Sequence, residues 1–194
     1  MAEERGKSAV GALVDHCAGC SGADDELLLV AKGLHALGVE SAYPDLNSSP
    51  FESGRCMART SFSLSFLGHT GSKWREHPNF EYFLENMSRH GGRVSFLLSE
   101  DVSVTTVQQL IDFEQRFSSF RARIYMSRPM FRLVIQDDRL IALQHYAGRD
   151  SVSIGDRDDA PLLILGGRSD ESLFRTLFVH FLSLWHAATP VGEL

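Results

Sequence analysis

The sequence predicts an α/β protein: a mixed β-sheet flanked by helices, with a short helical N-terminal extension. Three observations carry that expectation. Strand-like segments over 58–68 and 92–101 are each followed by a stretch of helical periodicity. An apolar run, a paired acid and a second apolar run over 129–146, "PMFRLVIQDDRLIALQHY", have the form of a hairpin. The stretch 169–188 sets Phe174, Leu177, Phe178, Phe181 and Trp185 along one stripe, as a helix packed on a sheet requires. Strands alternating with amphipathic helices bury their apolar faces as stacked layers.

Taken in order, residues 1–7 are polar and expected to be disordered, and 9–14 allow a short helix that "CAGCSG" interrupts. Asp24 and Asp25 offer N-cap chemistry to "ELLLVAKGLHALG", where Leu27, Val30, Ala31, Leu34 and Leu37 recur at helical spacing and Gly38 suits a left-handed C-terminal stop. The segment 41–56, with two prolines and clustered serines, reads as a linker. It divides a helical extension over 1–40 from an α/β domain over 57–190.

Within that domain "ARTSFSLSFLG" is expected as a strand and "HTGSKW" as a polar loop. Phe80, Phe83, Leu84 and Met87 mark a helix over 78–90, with Pro78 in its first turn and Gly91 as its stop. "GRVSFLLSED" follows as a strand, and Thr105 with Gln108 forms a capping-box pattern ahead of "VQQLIDFEQRF". "RARIYM", "MFRLVIQ", "RLIALQHY" and "APLLILGG" complete the strands, with Asp137 and Asp138 at the hairpin turn. Right-handed β-α-β crossovers bring the loops "GHTGSKW" and "SEDVSVTT" to one sheet edge, where open α/β sheets bind ligands.

The composition narrows the function classes. The 194 residues, 43% hydrophobic and 23% charged, suit one main domain, and no run approaches the roughly 20 apolar residues of a membrane helix. The N-terminus lacks the apolar core of a secretory signal, so a cytoplasmic location is expected. A net charge of −6 weighs against nucleic acid as a partner, although the 16 Arg outnumber the 3 Lys and Arg suits bidentate pairing with carboxylate or phosphate.

The segments "SFSLSFLGHTGSKW", "ENMSRHGGRVSFLL", "RPMFRLVIQDDRLIAL" and "LFVHFLSLWHAATPV" resemble a single phospholipase D-like domain, most similar to the degenerate versions in bacterial regulatory proteins. "GVESAYPDL" resembles the linker that precedes the domain in such regulators. The resemblance implies a homodimer and a strand presenting His-x-Lys-x4-Asp, in which imidazole attacks phosphorus and the ammonium holds a phosphate oxygen. Laid on this chain with Asp137 as the acid, that spacing puts Arg132 at the lysine and Met130 at the histidine. Methionine neither attacks phosphorus nor transfers a proton, so the resemblance implies a non-catalytic domain that binds an anionic small molecule or a protein partner.

The candidate ligand-binding residues are therefore Arg132, Asp137 and His145 on the hairpin and His69, Ser72 and Lys73 in the loop. Arg132, inside an apolar run, needs either an internal partner or an anion. The loop's glycines, hydroxyls and lysine suit an anion cradle, but the spacing is not that of a Walker site and no cofactor is implied. Two alternatives stand beside this reading. One is a phosphodiesterase or phosphatidyl-type transferase using displaced histidines, His69 and His145, which requires both to converge with Arg132 on one pocket. The other is a metal-binding protein built on Cys17, Cys20 and Cys56, the first two at C-x2-C spacing. Free thiols are the plainer reading of those cysteines.

Overall fold

The computed structural model describes residues 25–145, 160–167 and 172–194. Helix α1 (Asp25–Ala36) and strand β1 (Val39–Tyr43) are followed by α2 (Ser53–Arg59), β2 (Ser63–Gly68), the single turn α3 (Ser72–Arg75) and α4 (Phe80–Arg89). Then come β3 (Arg93–Ser99), α5 (Val104–Arg116), β4 (Phe120–Tyr125), β5 (Phe131–Gln136) and β6 (Leu140–His145). The chain closes with β7 (Leu162–Gly166), α6 (Leu173–Ala187), β8 (Thr189–Pro190) and a 3-10 turn, Val191–Glu193.

The described strands form one eight-stranded mixed sheet in the order β1-β7-β6-β5-β2-β3-β4-β8. β2, β3 and β4 run parallel to one another at its centre, and the remaining pairings are antiparallel. Side-chain alternation splits the strands between two apolar cores. On one face Leu64, Phe66, Val94, Phe96, Phe120 and Val134 meet the buried stripes of α4 and α5, including Phe80, Leu84, Met87, Leu110 and Phe113. The Phe80, Phe96, Phe113 and Phe120 rings meet at 5.3–6.2 Å, mostly edge to face, a geometry that adds to their area burial. On the other face Leu67, Leu97, Leu133, Ile135 and Ile141 pack under Phe174, Leu177 and Phe181 of α6. A helix-sheet-helix sandwich results.

The β5–β6 hairpin turns on Asp137 and Asp138, with φ of 53° and 52°, and Arg139 donates its backbone N–H to the Gln136 carbonyl at 3.0 Å. Positive φ at both central residues matches the twist of the flanking strands, and Asp tolerates it better than most residues. No bulge interrupts the pairing, so Arg132 stands opposite Gln144 and Phe131 opposite His145.

Three expectations are corrected. The supposed linker over 41–56 is part of the domain: β1 pairs with β7, Leu46 and Phe51 are buried in the first core, and α2 begins within it under a Glu52 cap. The α5 helix starts at Val104, with the Ser103 hydroxyl accepting from the Thr106 backbone N–H, two residues ahead of the expected capping box. In α1, Leu34 packs on the second core, whereas Val30 is exposed, as is Leu37 just after the helix. The expected helix over 9–14 and the C-x2-C pair lie outside the described residues. Among the described residues no helix is long and apolar enough to cross a membrane.

Candidate functional site

Because β2 and β3 are parallel, the loops that follow them leave from the same edge of the sheet. β5 runs antiparallel to β2 with Leu133 beside Leu67, which brings Arg132 next to the end of β2. The result is a cleft lined by Phe66, His69, Thr70, Ser72, Lys73 and Arg132.

Arg132 is buried on the face of the first core, and its Nη1 donates to Gln144 Oε1 at 3.1 Å. Gln144 Nε2 donates in turn to the Ala160 carbonyl at 2.8 Å, so the guanidinium is braced through β6 to the start of β7. His69 is also buried, with Nδ1 3.3 Å from the hydroxyl of Ser99, which ends β3. Burial holds the His69 imidazole below its ordinary pKa; Asp101 pulls the other way, while Arg128 and Arg132 add to the depression. The ring is therefore neutral at neutral pH. Lys73 is exposed at the mouth, and Ser72 is half-buried beside it.

The loop is held from beneath. Arg75, itself buried, donates from Nε to the Thr70 carbonyl at 3.0 Å and from its two terminal nitrogens to Gln109 Oε1 and Thr106 Oγ1 on α5. Gly71 adopts φ +61°, and a Cβ there would stand 3.1 Å from Phe96 Cε2, so the tight course of the loop requires glycine. As folded, the cleft has a free volume of about 10 Å³, room for one water-sized group. A larger anion would rest at the mouth against Lys73.

The structure thus brings His69, Ser72, Lys73 and Arg132 together, and it sets Asp137 and His145 apart from them. Asp137 lies at the far end of the hairpin, where its carboxylate accepts from the backbone N–H groups of Ser61 at 3.0 Å, Phe62 at 2.8 Å and Ser63 at 3.0 Å. That is a structural duty, organising the entry to β2. His145 pairs with Phe131 on the opposite face from Arg132, and Phe131 there faces His180 of α6 at 6.2 Å between rings. His69 and His145 therefore do not converge, as the displaced-histidine alternative required. Met130, two residues before Arg132, is 73% exposed.

The metal alternative needed Cys56 as a thiolate. Cys56 is fully buried in the first core, and its thiol is pushed up to about 12, chiefly by that burial. Cys17 and Cys20 lie outside the described residues. Among the described residues no group of three or more His, Cys, Asp or Glu is placed to hold a metal ion.

Ser99, Thr70, Arg75 and Gln144 were not singled out from sequence. Gln144 was within reach: with 137 and 138 as the two turn residues, position 136 faces 140 and Arg132 faces Gln144.

The chain is similar to Nuc, a phospholipase D family member from Salmonella typhimurium, with a TM-score of 0.50 and 10% identity over 70% of this chain and 85% of that one. The fold is phospholipase D-like. A second similarity is to TrmBL2, an archaeal chromatin protein described with a novel mode of DNA binding, at a TM-score of 0.53 and 13% identity, covering 89% of this chain and 61% of that one. Phosphatidylserine synthase from Haemophilus influenzae Rd KW20 matches at a TM-score of 0.48 and 10% identity, over 89% of this chain and 48% of that one. At such identities the likeness is one of fold. No family model matches the chain, and no curated protein matches it in sequence.

Proposed function

We propose that this chain is a non-catalytic phospholipase D-like domain that binds an anionic small molecule, or an acidic group of a protein partner, in a regulatory or sensing role and as a homodimer. The observation that carries the proposal is the gathering of Lys73, Ser72, His69 and Arg132 around one cleft at the sheet edge. Lys73 supplies an exposed point charge at the mouth and Arg132 a braced one within, and the neutral His69 and the Ser72 hydroxyl add hydrogen-bonding capacity without negative charge. Met130 supports the absence of catalysis, since a thioether stands at the spacing where the family keeps its nucleophile. DNA binding, described for TrmBL2, is not carried over, because the net charge of −6 opposes a polyanion.

Calorimetric titration of the protein with inorganic phosphate tests the reading. Saturable binding that Lys73→Ala weakens by roughly tenfold is expected, the scale of one lost charge-assisted hydrogen bond. Absence of binding, or binding indifferent to Lys73→Ala and Arg132→Lys, contradicts it. Sedimentation equilibrium tests the dimer: a purely monomeric protein at micromolar concentration removes that part of the proposal.

A further inference from the structure

The second face of the sheet carries a groove that the anion cleft does not touch. Over the C-terminal half of β2 and β3 this face is apolar, with Leu67 and Leu97 under α6, but over the N-terminal half it changes character. There Ser65 of β2 lies directly beside Ser95 of β3, and Ser63 beside Arg93. Helix α6 roofs these positions with Phe178 and Trp185, leaving a free volume of about 160 Å³ between roof and floor.

Three features of the groove bear on what it takes. Ser65 and Ser95 are half-buried and both line the groove floor. Each is both donor and acceptor, and a partly desolvated hydroxyl gains from a partner. The aromatic wall is the second feature: Phe178 and Trp185 are half-buried, and Trp185 stacks on Phe181 at 6.0 Å. The third is a charge pair at the mouth, Arg93 Nη2 to Asp138 Oδ2 at 3.4 Å, which offers a donor and an acceptor side by side with no net charge.

We propose that this groove is a second ligand site, for a neutral single-ring polyol of monosaccharide size. A sugar ring presents an apolar C–H face, which the aromatic wall would cover, and a rim of hydroxyls, which Ser65, Ser95 and the Arg93–Asp138 pair would bond. The neutral mouth disfavours a polyanion, and the volume falls below the roughly 300–1,000 Å³ of pockets that hold drug-sized ligands, so the occupant is one ring.

Saturation-transfer NMR on the full chain with a panel of D-glucose, D-galactose, D-mannose, D-ribose, N-acetyl-D-glucosamine and myo-inositol at millimolar concentration tests the site. At least one member should receive saturation on its ring protons. Ser65→Val and Ser95→Val should each weaken that binding by roughly tenfold, and Lys73→Ala, in the other cleft, should leave it unchanged. Trp185→Leu provides an independent wall variant if a serine variant fails to fold. No transfer to any member with the wild-type chain overturns the proposal, as does binding indifferent to the groove variants or abolished by Lys73→Ala.

Discussion

Asp137 accepts from the backbone N–H groups of Ser61, Phe62 and Ser63 while its own φ of 53° turns the hairpin. One side chain thereby fixes both the turn and the entry to β2. Asp137→Ala should lower stability by about 2 kcal/mol, the scale of losing charge-assisted hydrogen bonds and of replacing a residue that tolerates positive φ by one that tolerates it less. Urea unfolding with an unchanged m-value would read that loss. His69 gives a second prediction at this scale. Its folded pKa is depressed by burial, so the unfolded chain binds the proton first as pH falls. The penalty is absent above the ordinary imidazole value of about 6.5, grows as pH falls toward the folded value and is complete below it. His69→Gln should flatten the stability profile across that window, and the His69 ring protons should titrate below the ordinary range by NMR. The turn role of Asp137 was legible in sequence, but its hold on Ser61–Ser63 was not, because those contacts span 74 to 76 residues.

At the scale of elements, the loop from Gly68 to Trp74 owes its course to a glycine in the left-handed region and to the Arg75 fork beneath it. Gly71→Ala combines backbone strain with a contact against Phe96, and it should cost roughly 1–2 kcal/mol. Thermal denaturation checks that cost, and phosphate titration of the same variant should give weaker binding, because Lys73 and Ser72 ride on the displaced loop. The strong elements were legible because their periodicity is dense: Phe80, Phe83, Leu84 and Met87 are all buried, as their spacing implies. β1 was not legible. It is a five-residue edge strand, half-buried, with an irregular register between Val39 and Ser41, and it runs into a proline-bearing turn. Such a strand takes its order from β7, a partner far along the chain, rather than from its own pattern.

The whole molecule divides its chemistry between the two faces and edges of one sheet. Parallel β2 and β3 direct their following loops to the edge that holds Lys73 and Arg132, while α6 and the N-terminal half of the same strands enclose the serine-floored groove. The α/β class and this edge followed from the order of strands and helices. The separation of His145 from Arg132 followed from hairpin parity once the turn proved free of a bulge. Which cations would meet around a single cleft depended on packing between elements distant in sequence.

The central claim, anion binding without turnover at the edge cleft, is tested most directly by 31P NMR of bis(4-nitrophenyl) phosphate mixed with the protein. One spectrum reports both association and hydrolysis. The account predicts a broadened diester resonance that sharpens in Lys73→Ala, with no monoester resonance growing over time. An unbroadened diester signal would contradict the binding, and a growing monoester signal abolished by His69→Ala would contradict the absence of catalysis.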